Sequence, residues 1–162
     1  MPRFAENTSV SIEASKAEIE ETLRLYRADG FCAGWHKGQG LAMVAFEFEG
    51  RQVRFTTRLP DRDSNQFTRT DTGRTREPEA AMNAWERAQR QQWRALALIV
   101  KAKLESVEVG VETFEQTFLA HLVLPDGGTV GNRLVPQIVN AIEGGQMTSS
   151  TCPRPDEPHL SA

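Results

Sequence analysis

The sequence is 162 residues long, with 39% hydrophobic and 25% charged residues, enough for one domain with a buried core. A formal net charge of −3 excludes a protein that coats nucleic acid over its whole surface and leaves room for one local anionic contact. The longest apolar run, Ala95–Val100, falls far short of the roughly 20 residues of a membrane helix, and MPRFAENTSV lacks the apolar core of a signal peptide, so the expected compartment is the cytoplasm.

The charge is unevenly placed. Ten of the 19 basic residues are arginines between positions 51 and 94, a stretch without lysine. Residues 1–50 carry net −3, residues 51–94 net +4 and residues 95–162 net −4. Guanidinium groups present a planar fork of donors that suits phosphate, carboxylate or a guanine edge. Two readings stay open: a site for an anionic partner, or internal salt bridges to the six acids of the same stretch.

In chain order, Ser15 and Glu18 have capping-box spacing, and Ile19, Leu23 and Tyr26 continue at helical period, which predicts a helix over about 16–28 stopped by Asp29-Gly30. Phe31 to His36 is a short apolar strand closed by the turn-prone Lys37-Gly38-Gln39-Gly40. Leu41–Phe48 and Arg51–Leu59 alternate around Glu49-Gly50. A two-residue turn there sets Phe46 opposite Val53 and Val44 opposite Phe55 on one apolar face. Met43, Ala45, Glu47, Arg54, Thr56 and Arg58 fall on the other.

Pro60–Glu77 is an eighteen-residue polar loop containing Arg62, Arg69, Arg74 and Arg76. Loops this long are either functional or solvated excursions. Pro78 opens a long helix to about Val109 whose apolar stripe runs through Met82, Trp85, Trp93, Leu96, Val100, Leu104 and Val107. On the same wheel Arg87, Arg90, Arg94 and Lys101 gather within an arc of about 60°, which Glu105 and Glu108 extend. Residues 112–121 read as a second helix through Phe114 and Phe118, with a strand through Phe118–Leu124 as the alternative, followed by the turn Pro125-Asp126-Gly127-Gly128. Thr129 caps a last helix, Val130–Ile142, which Pro136 must kink or restart. Residues 147–162 have the composition of a disordered tail, leaving a single domain over 1–146.

Little in the chain suggests catalysis. Cys32 and Cys152 do not read as a disulfide, and His36, His121 and His159 stand singly, so no zinc spacing exists. Glu47 and Glu49 on one strand, with Asp61 and Asp63 just after the next, are the carboxylates that would serve a magnesium-dependent nuclease, and LPDGGTVG lacks the Gly-Lys-Ser/Thr end of a phosphate-binding loop. No cofactor is expected.

The segments SKAEIEETLRLY, FEFEGRQVRF, FTRTDTGR and AWERAQRQQWRALALIVKAKLESVEVGVETFEQTFLAHLVLPDGGTVG resemble a family of small uncharacterised proteins of bacteriophages and prophages, over roughly Val10 to Gly145. The resemblance implies a phage origin and the cytoplasm of an infected bacterium, and carries no catalytic residues. The order helix, three strands, long helix is also similar to double-stranded RNA-binding domains and, more loosely, to strand-annealing recombinases, though their motifs are absent. The expectation is therefore an α+β domain, with a long helix on a three-stranded antiparallel sheet and one or two shorter C-terminal helices. The first functional expectation is an accessory protein that binds nucleic acid or a nucleoprotein complex through Arg54, Arg58, Arg62, Arg69, Arg74, Arg76, Arg87, Arg90, Arg94 and Lys101. The second is an inhibitor or adaptor that binds a host protein such as a defence nuclease.

Overall fold

The computed structural model describes residues 8–36, 38 and 40–144; the expected disordered tail, with Cys152 and His159, lies outside them. The α+β order expected from the sequence is present: α1 (Ile12–Leu25), β1 (Gly30–His36), β2 (Leu41–Phe48), β3 (Arg51–Arg58), a short α2 (Asn65–Thr68), the long α3 (Pro78–Glu108), a short α4 (Phe114–Phe118) and α5 (Val130–Glu143). The three strands form one antiparallel sheet in the order β1-β2-β3.

The register follows from the β2–β3 turn. Glu49 and Gly50 both have positive φ (48° and 74°), the conformation that lets a two-residue hairpin match the twist of its strands. Phe46 then faces Val53 and Val44 faces Phe55, and all four are buried. Asp29 ties this turn to the start of β1, its carboxylate accepting from the Glu49 N–H at 2.8 Å.

α1 and α3 lie side by side over the apolar face of the sheet. Ile19, Leu23, Trp93, Leu96, Val100 and Leu104 meet Val44, Phe46, Val53 and Phe55 in one core. Each such side chain, fully buried, contributes on the order of 1.5–3 kcal/mol, the term that offsets chain entropy. Phe114 and Phe118 close one end of this core. Phe118 is completely buried, with its ring edge-on to Phe46 and Phe55.

Three local expectations need correction. α1 begins four residues earlier than the Ser15–Glu18 spacing suggests: Ser11 is the cap, accepting from the Ala14 N–H at 3.0 Å. Starting there sets Ser15, Ile19 and Leu23 on one inward stripe, with Ser15 fully buried and its hydroxyl donating to Ser11 O at 3.1 Å. The helix stops at Arg27 (φ 61°), not at Asp29-Gly30, and Gly30 already belongs to β1. Residues 112–124 combine both readings. α4 is held by a capping box of Thr113 and Gln116, a 3-10 turn spans Leu119–His121, and Leu122 then bridges to Val53 of β3. Pro136 is accommodated inside α5, which stays exposed there, so the carbonyl it leaves unpaired has access to water.

Pro60–Glu77 is a folded excursion. It contains α2, a bridge between Arg69 and Thr75, and a buried Phe67. The Trp85 indole N–H donates to Pro60 O at 2.8 Å and clasps the start of the segment to α3.

Candidate functional site

The arginines divide by element and by partner. Arg54 and Arg58 lie on the open face of the sheet, opposite α1 and α3. The Arg54 guanidinium donates to Gly127 O, so it serves as a strut beneath the Pro125–Gly128 turn. Arg69 donates to Gly73 O at 3.3 Å and Arg76 to Arg69 O at 3.2 Å, which spends both on the shape of their own segment. Arg94 is half-buried and paired with Glu18 of α1, and Arg90 lies 3.8 Å from Glu86 one turn earlier. Arg58, Arg62, Arg74, Arg87 and Lys101 are exposed, and their side chains have no partner among the described residues.

The expected α3 flank is thus real as an arc but reduced as a charge. With Arg90 and Arg94 answered by carboxylates, Arg87 and Lys101 remain, separated by fourteen positions or about 21 Å of helix. Arg54 and Arg58 are on the far side of the sheet from them. The ten cations of the sequence reading do not share one face.

The carboxylates do not converge either. Glu49 sits in the turn beside Arg51, Asp61 accepts from the Asp63 N–H within its own segment, and Glu47 is on the open sheet face. Among the described residues no group of three or more His, Cys, Asp or Glu is placed to hold a metal ion. A shallow concavity of about 380 Å³ lies over the open face, floored by Gly30, Cys32 and Ala45 and walled by Glu47, Gln52, Arg54 and Val123. It is small-residue surface flanked by one acid and one base, without a pair of groups at proton-transfer distance.

One titratable group is perturbed inside the fold. His121 stacks on Phe55 with ring centroids 4.0 Å apart. Its pKa is lowered, first by burial and then by the nearby Lys103 cation, against an opposing contact with the Arg54 backbone. Tyr26 is shifted upward, chiefly because its hydroxyl donates to Glu105 at 2.6 Å.

The surface feature that sequence reasoning missed is α5. Leu134, Val135, Ile138, Val139 and Ile142 are 40–53% exposed, and the helix has no buried residue. At 100° per residue these five fall within about 140° of one another, a continuous apolar face. Only the first turn is anchored. Thr129 caps it, Val130 N–H donates to Leu122 O at 3.0 Å, and Gly131 passes so close to Ala120 that a Cβ there would lie 2.7 Å from its carbonyl oxygen. The sequence shows the apolar period of this helix, but the same period describes a core helix. No helix among the described residues is long and apolar enough to cross a membrane. Comparison of the chain with protein-family models, with curated proteins and with solved structures returns no match.

Proposed function

We propose that this is a non-enzymatic binding protein whose partner is another protein, engaged by the apolar face of α5. The observation that carries the reading is the exposure of five large aliphatic side chains on one projecting helix. Patches of a few hundred Å² are the size at which the surface of a monomer is often functional. The helix carries only Arg133 and Glu143 as charges, and Arg133 is already paired with Asp126, so its contact is apolar rather than ionic. A groove on the partner that accepts a helix by its i, i+4 and i+8 residues fits Leu134, Ile138 and Ile142. Taken with the resemblance of the segments to phage proteins, this reading makes the molecule a phage adaptor or inhibitor acting on a host protein in the bacterial cytoplasm.

The test is retention from nuclease-treated bacterial lysate on immobilised protein, wild type beside Ile138→Asp. The expected result is a stoichiometric band that survives nuclease and disappears with Ile138→Asp. A band indifferent to that substitution, or no band, overturns the reading.

A nucleic-acid partner is supported by a different observation, the exposure of Arg58, Arg62, Arg74, Arg87 and Lys101, whose side chains have no partner among the described residues. Phosphate contact would make affinity fall steeply with salt. Gel shifts with single- and double-stranded DNA and RNA at about 50 mM salt test it; absence of binding there removes it, and binding lost in Arg62→Ser/Arg74→Ser supports it.

A further inference from the structure

The two edges of the sheet are treated differently. Along β3, Gln52 O accepts from the Val123 N–H at 2.8 Å, Leu122 bridges Val53, the His121 ring reaches the Arg54 backbone, and Arg58 O accepts from the Gln92 side chain. Among the described residues that edge is covered over Gln52 to Arg54 and at Arg58. Along β1, Phe31 to Trp35 make no hydrogen bond outside the ladder with β2 among the described residues. Between Phe31 and Trp35, alternate N–H and C=O groups therefore face outward without partners among the described residues. Proteins usually blunt such an edge with lysine, proline, a bulge or a cover. The strand GFCAGWH has no Lys, Arg, Asp, Glu or Pro, and its pairing with β2 runs without a bulge.

Its side chains are also self-complementary. Phe31, Ala33 and Trp35 point to the face that carries α1 and α3, beside the buried Phe46, Val44 and Ala42. Trp35 is 62% exposed. An antiparallel copy of the strand centred on Ala33 sets Phe31 opposite Trp35 at both ends, with Cys32 opposite Gly34 and Gly30 opposite His36 on the open side. Cross-strand aromatic pairs of this kind are among the more stabilising in sheets. We infer that two copies of the chain pair β1 to β1 about a two-fold axis at Ala33, joining two three-stranded sheets into one of six strands. Because β3 is covered, the pairing uses the edge of each copy that is open among the described residues. It therefore ends at a dimer and does not propagate as a filament. This inference is independent of the reading of α5.

Sedimentation equilibrium at up to about 100 μM detects pairing with a Kd of that order. The expected mass for the wild type is twice 18.1 kDa. Trp35→Lys is expected to return the single-chain mass. Gly34→Lys, where a Cβ meets nothing within 4 Å, is a second variant that keeps the fold and sets two lysines diagonally across the axis. Thermal melts of both variants verify folding. In this register the two Cys32 residues are diagonal neighbours about 7–8 Å apart, so a short bis-maleimide should link Cys152→Ser protein into a covalent dimer and should fail on Cys152→Ser/Trp35→Lys. A wild type of 18.1 kDa at the highest concentration overturns the proposal. So does cross-linking indifferent to Trp35→Lys, or a dimer that Ile138→Asp dissociates while Trp35→Lys and Gly34→Lys do not.

Discussion

α3 and α5 are both amphipathic, and the molecule uses them in opposite ways. α3 lays Trp93, Leu96, Val100 and Leu104 onto the sheet, where they are buried. α5 presents a face of comparable apolarity to solvent and is fastened only by its first turn. Helical period states that a face exists; what covers it is decided by elements elsewhere in the chain. Here the sheet offers one apolar face, and α1 and α3 already fill it. α5 is left over.

The comparison predicts a gradient of sensitivity. The largest effect belongs to the core that α3 and α4 share: Phe118→Ala, at a fully buried ring, should cost about 3–5 kcal/mol in urea unfolding. A loss under about 1 kcal/mol would mean that this end of the core is loosely packed. Next is the joint between α5 and the body. Gly131→Ala drives a methyl into the Ala120 carbonyl and should cost about 1–3 kcal/mol or release the helix, seen as faster hydrogen exchange across Val130–Glu143 with α3 unchanged.

A smaller effect is expected at His121, beneath the same joint. Its folded pKa lies below the ordinary 6.5, so the unfolded chain takes up its proton first as pH falls. The stability it contributes is therefore present above about 6.5 and is lost as pH falls through the lowered value. His121→Gln should flatten the fall in thermal midpoint over that range relative to wild type; an unchanged slope would remove His121 as its source. The smallest effect is on α5 itself. Ile138→Asp should change stability by no more than about 0.5 kcal/mol, because the side chain is already half in water. A large loss would show that α5 is packed in solution and would break the contrast with α3.

Much of the fold was legible in the sequence. The hairpin register followed from alternation meeting at Glu49-Gly50, and α3 followed from Pro78 and a long stripe, since both signals are local. The start of α1 was misplaced because Ser11 and Ser15 stand one turn apart and either can cap; burial of Ser15 decides between them, and burial is not a local property. Pro60–Glu77 looked unstructured because its one anchor, Phe67, is packed from outside the segment and its clasp, Trp85, comes twenty-five residues after Pro60. The arginines were legible as a cluster but not as a site. Their partners Glu18 and Gly127 are far away in sequence, and a guanidinium paired across 76 residues reads the same as a free one. The open β1 edge was hidden for a related reason, since an unpaired strand and a paired one are written alike.

The cover over β3 also sets an order of events. Val123 and Gly127 reach Gln52 and Arg54 across some seventy residues. At synthesis rates of about 5–20 residues per second, β3 leaves the ribosome several seconds before the segment that caps it exists. During that interval the outer edge of β3 lacks the cover that Val123 and Gly127 give it in the finished molecule.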